Sequence, residues 1–211
     1  IAFVHNAMWE MYNFRGELLQ ELKAKGYEIT VICPPDEKNA HYFTDLGIKL
    51  LTVPMSRKGT NIKEDVQLVK NLFKVYKKEK FDLVFHYTIK PNIYGTLAAK
   101  LAGIKSIAIT TGLGYVFLHN NITSLIAKFM YKFSLAFANE VWFLNDDDMN
   151  IFLDKDLITE RQAFKLPSEG INTKRFVPKE KNRKDSKTVF LMIARVLYDK
   201  GFNEYLEAAK L

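Results

Sequence analysis

Short apolar runs alternate with longer segments whose apolar residues recur every three or four positions, through the first 166 residues of the chain. The short runs predict β-strands and the longer segments predict helices. The predicted strands cover residues 1–5, 27–33, 48–53, 81–86, 104–110, 140–144 and 163–166. The predicted helices cover residues 12–25, 41–46, 62–78, 92–102, 122–138 and 146–153. Because strands separated by such helices join into parallel sheets through right-handed crossovers, the predicted fold class is α/β, a Rossmann-like doubly wound parallel sheet.

A change in composition predicts a domain boundary. A first domain over residues 1–170 is followed by a linker over residues 171–187, which holds Pro178 and the charged run KEKNRKDSK. An apolar run at residues 189–193 then predicts a buried strand, followed by a basic, glycine-containing loop and a helix that reaches residue 211. Strands, loops and helices in this order present phosphate-binding groups in α/β proteins. Residues 188–211 are therefore predicted to begin a second, truncated Rossmann-like domain.

The composition excludes several classes of protein. With 48% hydrophobic and 13% aromatic residues in 211, the chain can bury a core, so it is not disordered. The single cysteine, Cys33, rules out a disulfide framework and indicates a reducing, cytoplasmic location. The sequence has no apolar run of the roughly 18 residues that a membrane span needs.

The formal net charge of +7 indicates an anionic partner, such as a phosphorylated ligand, an acidic lipid surface or a nucleic acid. Nucleic acid is not expected, because lysine outnumbers arginine by 25 to 6 and the sequence has neither zinc-ligand spacing nor an RNP-type motif. A lysine-rich solvated surface is the alternative explanation of this charge.

Candidate ligand-binding residues follow the predicted strands, since doubly wound sheets bind ligands beyond the carboxyl ends of their strands. The chain contains neither a G-x-G-x-x-G nor a G-x-x-x-x-G-K-[ST] motif, which disfavours a dinucleotide-binding dehydrogenase and a P-loop enzyme. Asn13, Arg15 and Gly16 after the first strand suit contact with a hydroxyl-rich ligand. Alternatively, Asn13 caps a helix and Arg15 lies on its surface.

Two further loops carry candidate residues. After the fourth strand, Thr88, Lys90 and Asn92 flank a proline that suits the first turn of a helix, where free backbone N–H groups bind anions. After the fifth strand, Gly112 and Gly114 permit close approach of a ligand to the backbone. Alternatively, the loop after the fourth strand is only the start of a helix with a solvated lysine, and the two glycines after the fifth strand form an ordinary turn.

Three segments follow one another along the chain: KPNIYG at residues 90–95, TGLGY at 111–115 and ARVLYDKG at 194–201. With YNFRGELLQELKAKGYEITVICPP before them, they resemble retaining glycosyltransferases of family 4, which have two facing Rossmann-like domains, the GT-B fold. The resemblance is strongest to bacterial enzymes that build capsular, lipopolysaccharide or glycoprotein glycans on polyprenyl-diphosphate lipids. It implies a nucleotide-sugar donor, such as a UDP-sugar, a lipid-linked or polysaccharide acceptor, and neither metal nor cofactor.

The resemblance also implies roles for residues. Arg195 and Lys200 match the basic pair that binds the donor diphosphate, and the candidates in the first, fourth and fifth loops match the lining of the cleft between domains. No catalytic residue is assigned: the histidines of the family align with Phe85 and Tyr87, so His86 faces the other side of its strand and is expected in the core.

The family's paired glutamates, spaced E-x₇-E, would lie beyond residue 211, so the chain alone is expected to be inactive. Two other functions stay open, a nucleotide-sugar 2-epimerase of the same architecture and a non-catalytic sugar- or nucleotide-binding domain. The strand at residues 189–193 would lack most of its sheet, which predicts a homodimer through the truncated domain. The apolar helix at residues 122–138 is expected in the core, with peripheral contact to the inner membrane as the alternative.

Overall fold

The computed structural model describes residues 1–57, 59, 61–113, 117, 121–167, 169–178, 188–194, 196 and 198–210. The chain divides into two compact units, Ile1–Glu169 and Gly170–Leu211. The first contains seven parallel strands in the order β3-β2-β1-β4-β5-β6-β7, which confirms the predicted α/β fold class. They are β1 (Ala2–Val4), β2 (Thr30–Cys33), β3 (Lys49–Thr52), β4 (Leu83–Tyr87), β5 (Lys105–Thr110), β6 (Glu140–Phe143) and β7 (Ala163–Lys165).

The helices in the described part of the chain are α1 (Met8–Ala24), α2 (Glu37–Thr44), α3 (Ile62–Glu79), α4 (Thr96–Ala102), α5 (Ile122–Leu135), α6 (Asp146–Asp154) and α7 (Phe202–Ala208). A π-helical turn, Pro91–Gly95, precedes α4, and a 3₁₀ turn, Tyr198–Lys200, precedes α7. The first helix begins four residues earlier than predicted, because Met8 and Met11 already belong to its buried face. Asn13 therefore lies inside α1 and does not cap it.

Alternate residues of the strands point to two helical layers. Phe3 and Val31 pack with Met11 of α1 and Phe43 of α2 on one face of the sheet. Ala2, Val4 and Val84 pack with residues of α3 and α4 on the other, and that core continues into α5 and α6. The chain moves outward from β1 to β3 and then reverses at β4, so the topological switch point lies between the neighbouring strands β1 and β4.

The second unit corrects one prediction. Residues 189–193 do not form a strand, and Val189, Phe190, Leu191 and Ile193 are 61–87% exposed. A strand is stable only beside another strand that accepts and donates its backbone hydrogen bonds. The described residues from 170 onward contain no such neighbour, so the apolar run forms no strand and stays exposed.

Candidate functional site

A cleft of about 260 Å³ lies at the carboxyl edge of the sheet. Four of its lining residues directly follow a strand: His5 after β1, Thr88 after β4, Thr111 after β5 and Leu144 after β6. The other lining residues are Glu10, Phe14, Arg15 and Glu169. Since β1 and β4 meet at the topological switch point, the cleft lies where doubly wound sheets bind their ligands.

His5 is a neutral hydrogen-bond donor at the base of the cleft. Its Nδ1 accepts a hydrogen bond of 3.0 Å from the Ala7 backbone N–H, so the ring proton is carried by Nε2. Nε2 lies 3.9 Å from Oε2 of Glu10. Burial, assisted by the positive charges of Arg15 and Arg57, lowers the pKa of His5 to about 4. The ring is therefore uncharged at neutral pH and can donate to a ligand oxygen.

Arg15 is the buried cation of the cleft. Helix α1 brings its guanidinium 4.8 Å from the centroid of the Tyr87 ring, an attractive cation–π contact. Its Nη1 donates to the Phe14 carbonyl at 3.0 Å, and its Nη2 forms an ion pair with Glu169. Burial raises the pKa of Tyr87 to about 12, so the phenol stays protonated. One cation is thus fixed at the cleft wall with a single carboxylate as its counter-ion.

Thr88 has a strained backbone, and its hydroxyl lacks a hydrogen-bond partner among the described residues. Its φ of 71° lies in the left-handed region, which is costly for a β-branched residue. Its Oγ1 is buried and has no hydrogen-bond partner among the described residues. Strained residues with unsatisfied polar atoms are typical of ligand sites, because the surrounding fold holds them for a purpose other than stability.

Lys90 does not line this cleft. Its Nζ donates to Oδ1 of Asp65 at 2.7 Å and to the Ser56 hydroxyl at 2.8 Å, beside a second cavity of about 200 Å³. Asp65 also accepts from the Tyr94 hydroxyl at 2.8 Å. The charge of Lys90 is therefore neutralised inside the helical layer, away from the residues that line the cleft. Asn92, which is also buried, donates from Nδ2 to the Ile109 carbonyl at 3.1 Å.

The remaining candidates do not join the cleft. Asn13 is exposed on α1, Gly16 is buried against Tyr12, and Gly112 is exposed with a φ of 134°. Lys200 is exposed in the second unit, whereas Gly114 and Arg195 lie outside the described residues. Of the residues predicted from sequence, the cleft thus brings together Arg15 and Thr88.

His86 belongs to the core on the opposite face of the sheet, as its position in the strand indicated. Its Nε2 lies 2.9 Å from the Tyr76 hydroxyl and its Nδ1 lies 3.3 Å from the Thr96 hydroxyl. Burial lowers the pKa of His86 to about 3, which keeps the ring neutral. The backbone of Gly95 passes so close that a Cβ there would lie 2.6 Å from the ring.

The residues named above that line the cleft but were not candidates from sequence are His5, Glu10, Phe14, Thr111, Leu144 and Glu169. The signal for His5 was its position directly after the first apolar strand, and Glu169 carried no local signal, since it is 154 residues from its partner Arg15.

The described residues contain no group of three or more His, Cys, Asp or Glu side chains that could hold a metal. They also contain no helix long and apolar enough to cross a membrane.

Two curated bacterial proteins are similar to this chain. N,N'-diacetylbacillosaminyl-diphospho-undecaprenol α-1,3-N-acetylgalactosaminyltransferase of Campylobacter jejuni is 32% identical over 230 aligned positions, covering 100% of this chain and 60% of that protein. UDP-Gal:α-D-GlcNAc-diphosphoundecaprenol α-1,3-galactosyltransferase of Escherichia coli is 26% identical over 194 positions, covering 87% of this chain and 50% of that protein. The chain therefore spans between half and three fifths of the length of these relatives.

Solved structures share the fold. A glycosyltransferase from Rickettsia africae superposes with a TM-score of 0.62 at 20% identity, over 83% of this chain and 44% of that one. UDP-GlcNAc 2-epimerase from Neisseria meningitidis, bound to UDP-GlcNAc, superposes with a TM-score of 0.59 at 14% identity, over 80% of this chain and 46% of that one. The fold is thus common to transferases and epimerases. The profile of the glycosyl transferase 4-like family, however, matches residues 1–145 of the 211, and the protein belongs to that family.

Proposed function

We propose that the protein is a retaining glycosyltransferase that moves a sugar from a UDP-sugar to a saccharide carried on a polyprenyl diphosphate. Family membership supports sugar transfer, and the names of both curated relatives describe α-1,3 transfer to a sugar on diphospho-undecaprenol. UDP-galactose, the donor named for the second relative, is itself an α-glycoside, so an α product corresponds to retention. The single buried cysteine supports a cytoplasmic site for the reaction.

The cleft of the first unit is the acceptor side in this proposal. Transfer forms a bond between an acceptor oxygen and the anomeric carbon and breaks the bond from that carbon to the diphosphate. The Nε2–H of His5 and the free hydroxyl of Thr88 are suited to hold acceptor hydroxyls in place for that step. Phe14, which is exposed at the rim, offers an apolar surface to a sugar ring.

The donor side is assigned to the basic residues of the second unit. Negative charge develops on the departing UDP as its bond to the sugar breaks, and positive side chains stabilise that charge. Arg195 and Lys200 fill this role in our proposal, without metal or cofactor. Because the chain covers only part of its relatives, we propose that residues 1–211 by themselves do not transfer sugar.

The observation that carries the proposal is the cleft lined by His5, Arg15 and Thr88 at the switch point of a family 4-like sheet. The test incubates the product of the full reading frame that encodes this chain with radiolabelled UDP-sugars and a polyprenyl-diphosphate-linked N-acetylhexosamine. We expect label to appear in the lipid fraction, with an α linkage. Conversion of the UDP-sugar to its 2-epimer without acceptor would identify an epimerase instead, and saturable binding with neither reaction would identify a binding domain.

A further inference from the structure

The second cavity of the first unit, with a volume of about 200 Å³, combines an apolar wall with polar side chains. The wall includes Met55 and Leu68, which are at most 8% exposed. Lys90, in the loop after β4, and Glu64 and Asn71, on helix α3, supply polar groups to the lining. Sites for small molecules typically combine an apolar lining with a few polar groups that fix the orientation of the ligand. The cavity therefore has the composition of a ligand site.

The charges around this cavity favour a neutral ligand. Lys90 and Asp65 are both buried and form an ion pair of 2.7 Å, so each neutralises the other. The carboxylate of Glu64, at an exposed position in the first turn of α3, adds a negative charge. Among the described residues of the lining, no cation is left uncompensated, and Glu64 repels a phosphate or a carboxylate. The cavity therefore does not suit an anion.

Hydrogen-bond donors remain for such a ligand. The ammonium of Lys90 has three N–H groups, of which two donate to Asp65 and Ser56 within the described part of the chain. Asn71 accepts from Nε2 of Gln67 at 2.8 Å through its Oδ1, which leaves its Nδ2 as the donor of that amide.

An acetamido group matches this lining. Its carbonyl oxygen accepts hydrogen bonds, its N–H donates one and its methyl group covers apolar surface. A hydroxyl group in the same place would leave the apolar wall uncovered.

The cavity lies beside the cleft, because the same two loops contribute to both. Thr88 lines the cleft and Lys90 lines the cavity, and their Cα atoms are at most about 7 Å apart along the chain. Ser56 lines the cavity, whereas the next residue, Arg57, forms an ion pair with Glu10 of the cleft. A sugar held in the cleft can therefore extend a substituent towards the cavity.

We propose that the second cavity receives the acetamido group of the acceptor sugar and so selects a lipid-linked N-acetylhexosamine over the corresponding hexose. Lys90 and Asn71 donate to the carbonyl oxygen of the acetamido group, and Glu64 accepts from its N–H. The methyl group packs against Met55 and Leu68. This role of the cavity rests on the sugar transfer proposed above.

The test compares two acceptors that differ only in the acetamido group, N-acetylglucosamine and glucose, each linked to the same polyprenyl diphosphate. The measurement is the ratio of the two kcat/KM values for the full-length protein with a radiolabelled UDP-sugar. We expect a ratio of at least about ten in favour of N-acetylglucosamine, since a site that hydrogen-bonds a substituent rejects the analogue that lacks it. Asn71→Leu removes the amide donor at a half-buried position and should lower the ratio about five- to tenfold, by slowing transfer to N-acetylglucosamine alone.

Two further variants separate recognition from folding. Asn71→Asp keeps the size of the side chain and replaces the donor by an acceptor, so it should also lower the ratio. Asn150→Leu, the same replacement at an exposed position on α6, is the matched control and should keep the ratio of the unchanged protein. A partly unfolded variant does not change the ratio, because both acceptors are compared with one preparation of the enzyme.

The outcomes distinguish the cavity from the reaction. Equal kcat/KM values for the two acceptors, or an unchanged ratio in both Asn71 variants, would overturn the role of the cavity and leave sugar transfer intact. Transfer to neither acceptor would overturn the proposed function and the role of the cavity together.

Discussion

Lowering the pH from about 7.5 to about 5 should destabilise the fold through His5 by about 2 kcal/mol. Its pKa is about 4 in the folded protein and 6.5 in the unfolded chain, so the unfolded chain takes up a proton first as the pH falls. The stability that neutral His5 contributes is complete above pH 6.5 and is lost as the pH falls towards 4. The full loss approaches about 3 kcal/mol, at 1.36 kcal/mol for each unit of difference.

The assay is urea unfolding at both pH values, for the unchanged chain and for His5→Asn. The asparagine Oδ1 can keep the hydrogen bond from the Ala7 N–H but does not titrate, so the variant should lose about 2 kcal/mol less between the two pH values. His41→Asn, at an exposed position on α2, is the control for the effect of replacing a histidine by asparagine. An equal pH dependence for His5→Asn and the unchanged chain would refute the neutral, buried state of His5.

Three further predictions concern packing and association. Arg15→Met should lower the free energy of unfolding by about 2 kcal/mol in a denaturant titration. Glu169→Gln should lower it by about half that amount, because the Glu169 side chain is 31% exposed. Gly95→Ala should lower the free energy of unfolding by about 1–3 kcal/mol, because it forces a Cβ against His86. In the double variant with His86→Ala, most of this loss should disappear. Additive losses from the two substitutions would contradict the close contact. Light scattering of the 211-residue chain should show a mass above the 24.4 kDa of a single chain. Phe190→Ser, in the exposed apolar run at residues 189–193, should reduce that mass. A single-chain mass for the unsubstituted protein would exclude self-association.

The sheet could be predicted from sequence because its information is local. Each strand is an apolar run between helical repeats, and the length of the crossovers requires parallel pairing. The boundaries of the predicted elements were less accurate than their order. Helix α1 begins at Met8 and not at residue 12, because polar neighbours of Met8 obscure the helical period in the sequence. Residues 189–193 have the composition of a buried strand, but composition cannot supply the neighbouring strand that would hold them.

The sequence indicates the edge of the sheet at which the cleft lies, but few of the residues that line it. The rule that ligands bind at the carboxyl ends of strands selected Arg15 and Thr88, and both line the cleft. Lys90 was expected to offer a free charge, yet the sequence does not reveal that Asp65, 25 residues earlier, approaches within 2.7 Å and neutralises it. Helix α5 was expected in the core, and this prediction is confirmed for one face only: Tyr131 and Leu135 are buried, whereas Phe129 and Phe133 are exposed. An apolar composition does not show which face the neighbouring elements cover.

Thr88 offers the most direct test of the central claim that this cleft holds the acceptor of a sugar transfer. Glycine adopts the φ of 71° without strain, so Thr88→Gly should stabilise the fold by about 1 kcal/mol while removing the hydroxyl. The measurement is kcat/KM for sugar transfer to the lipid-linked acceptor by the full-length protein, for both forms. We predict that the variant is more stable and at least about tenfold less efficient, as expected when a hydrogen bond to the substrate is lost. A variant that is more stable and transfers sugar with unchanged efficiency would contradict the account.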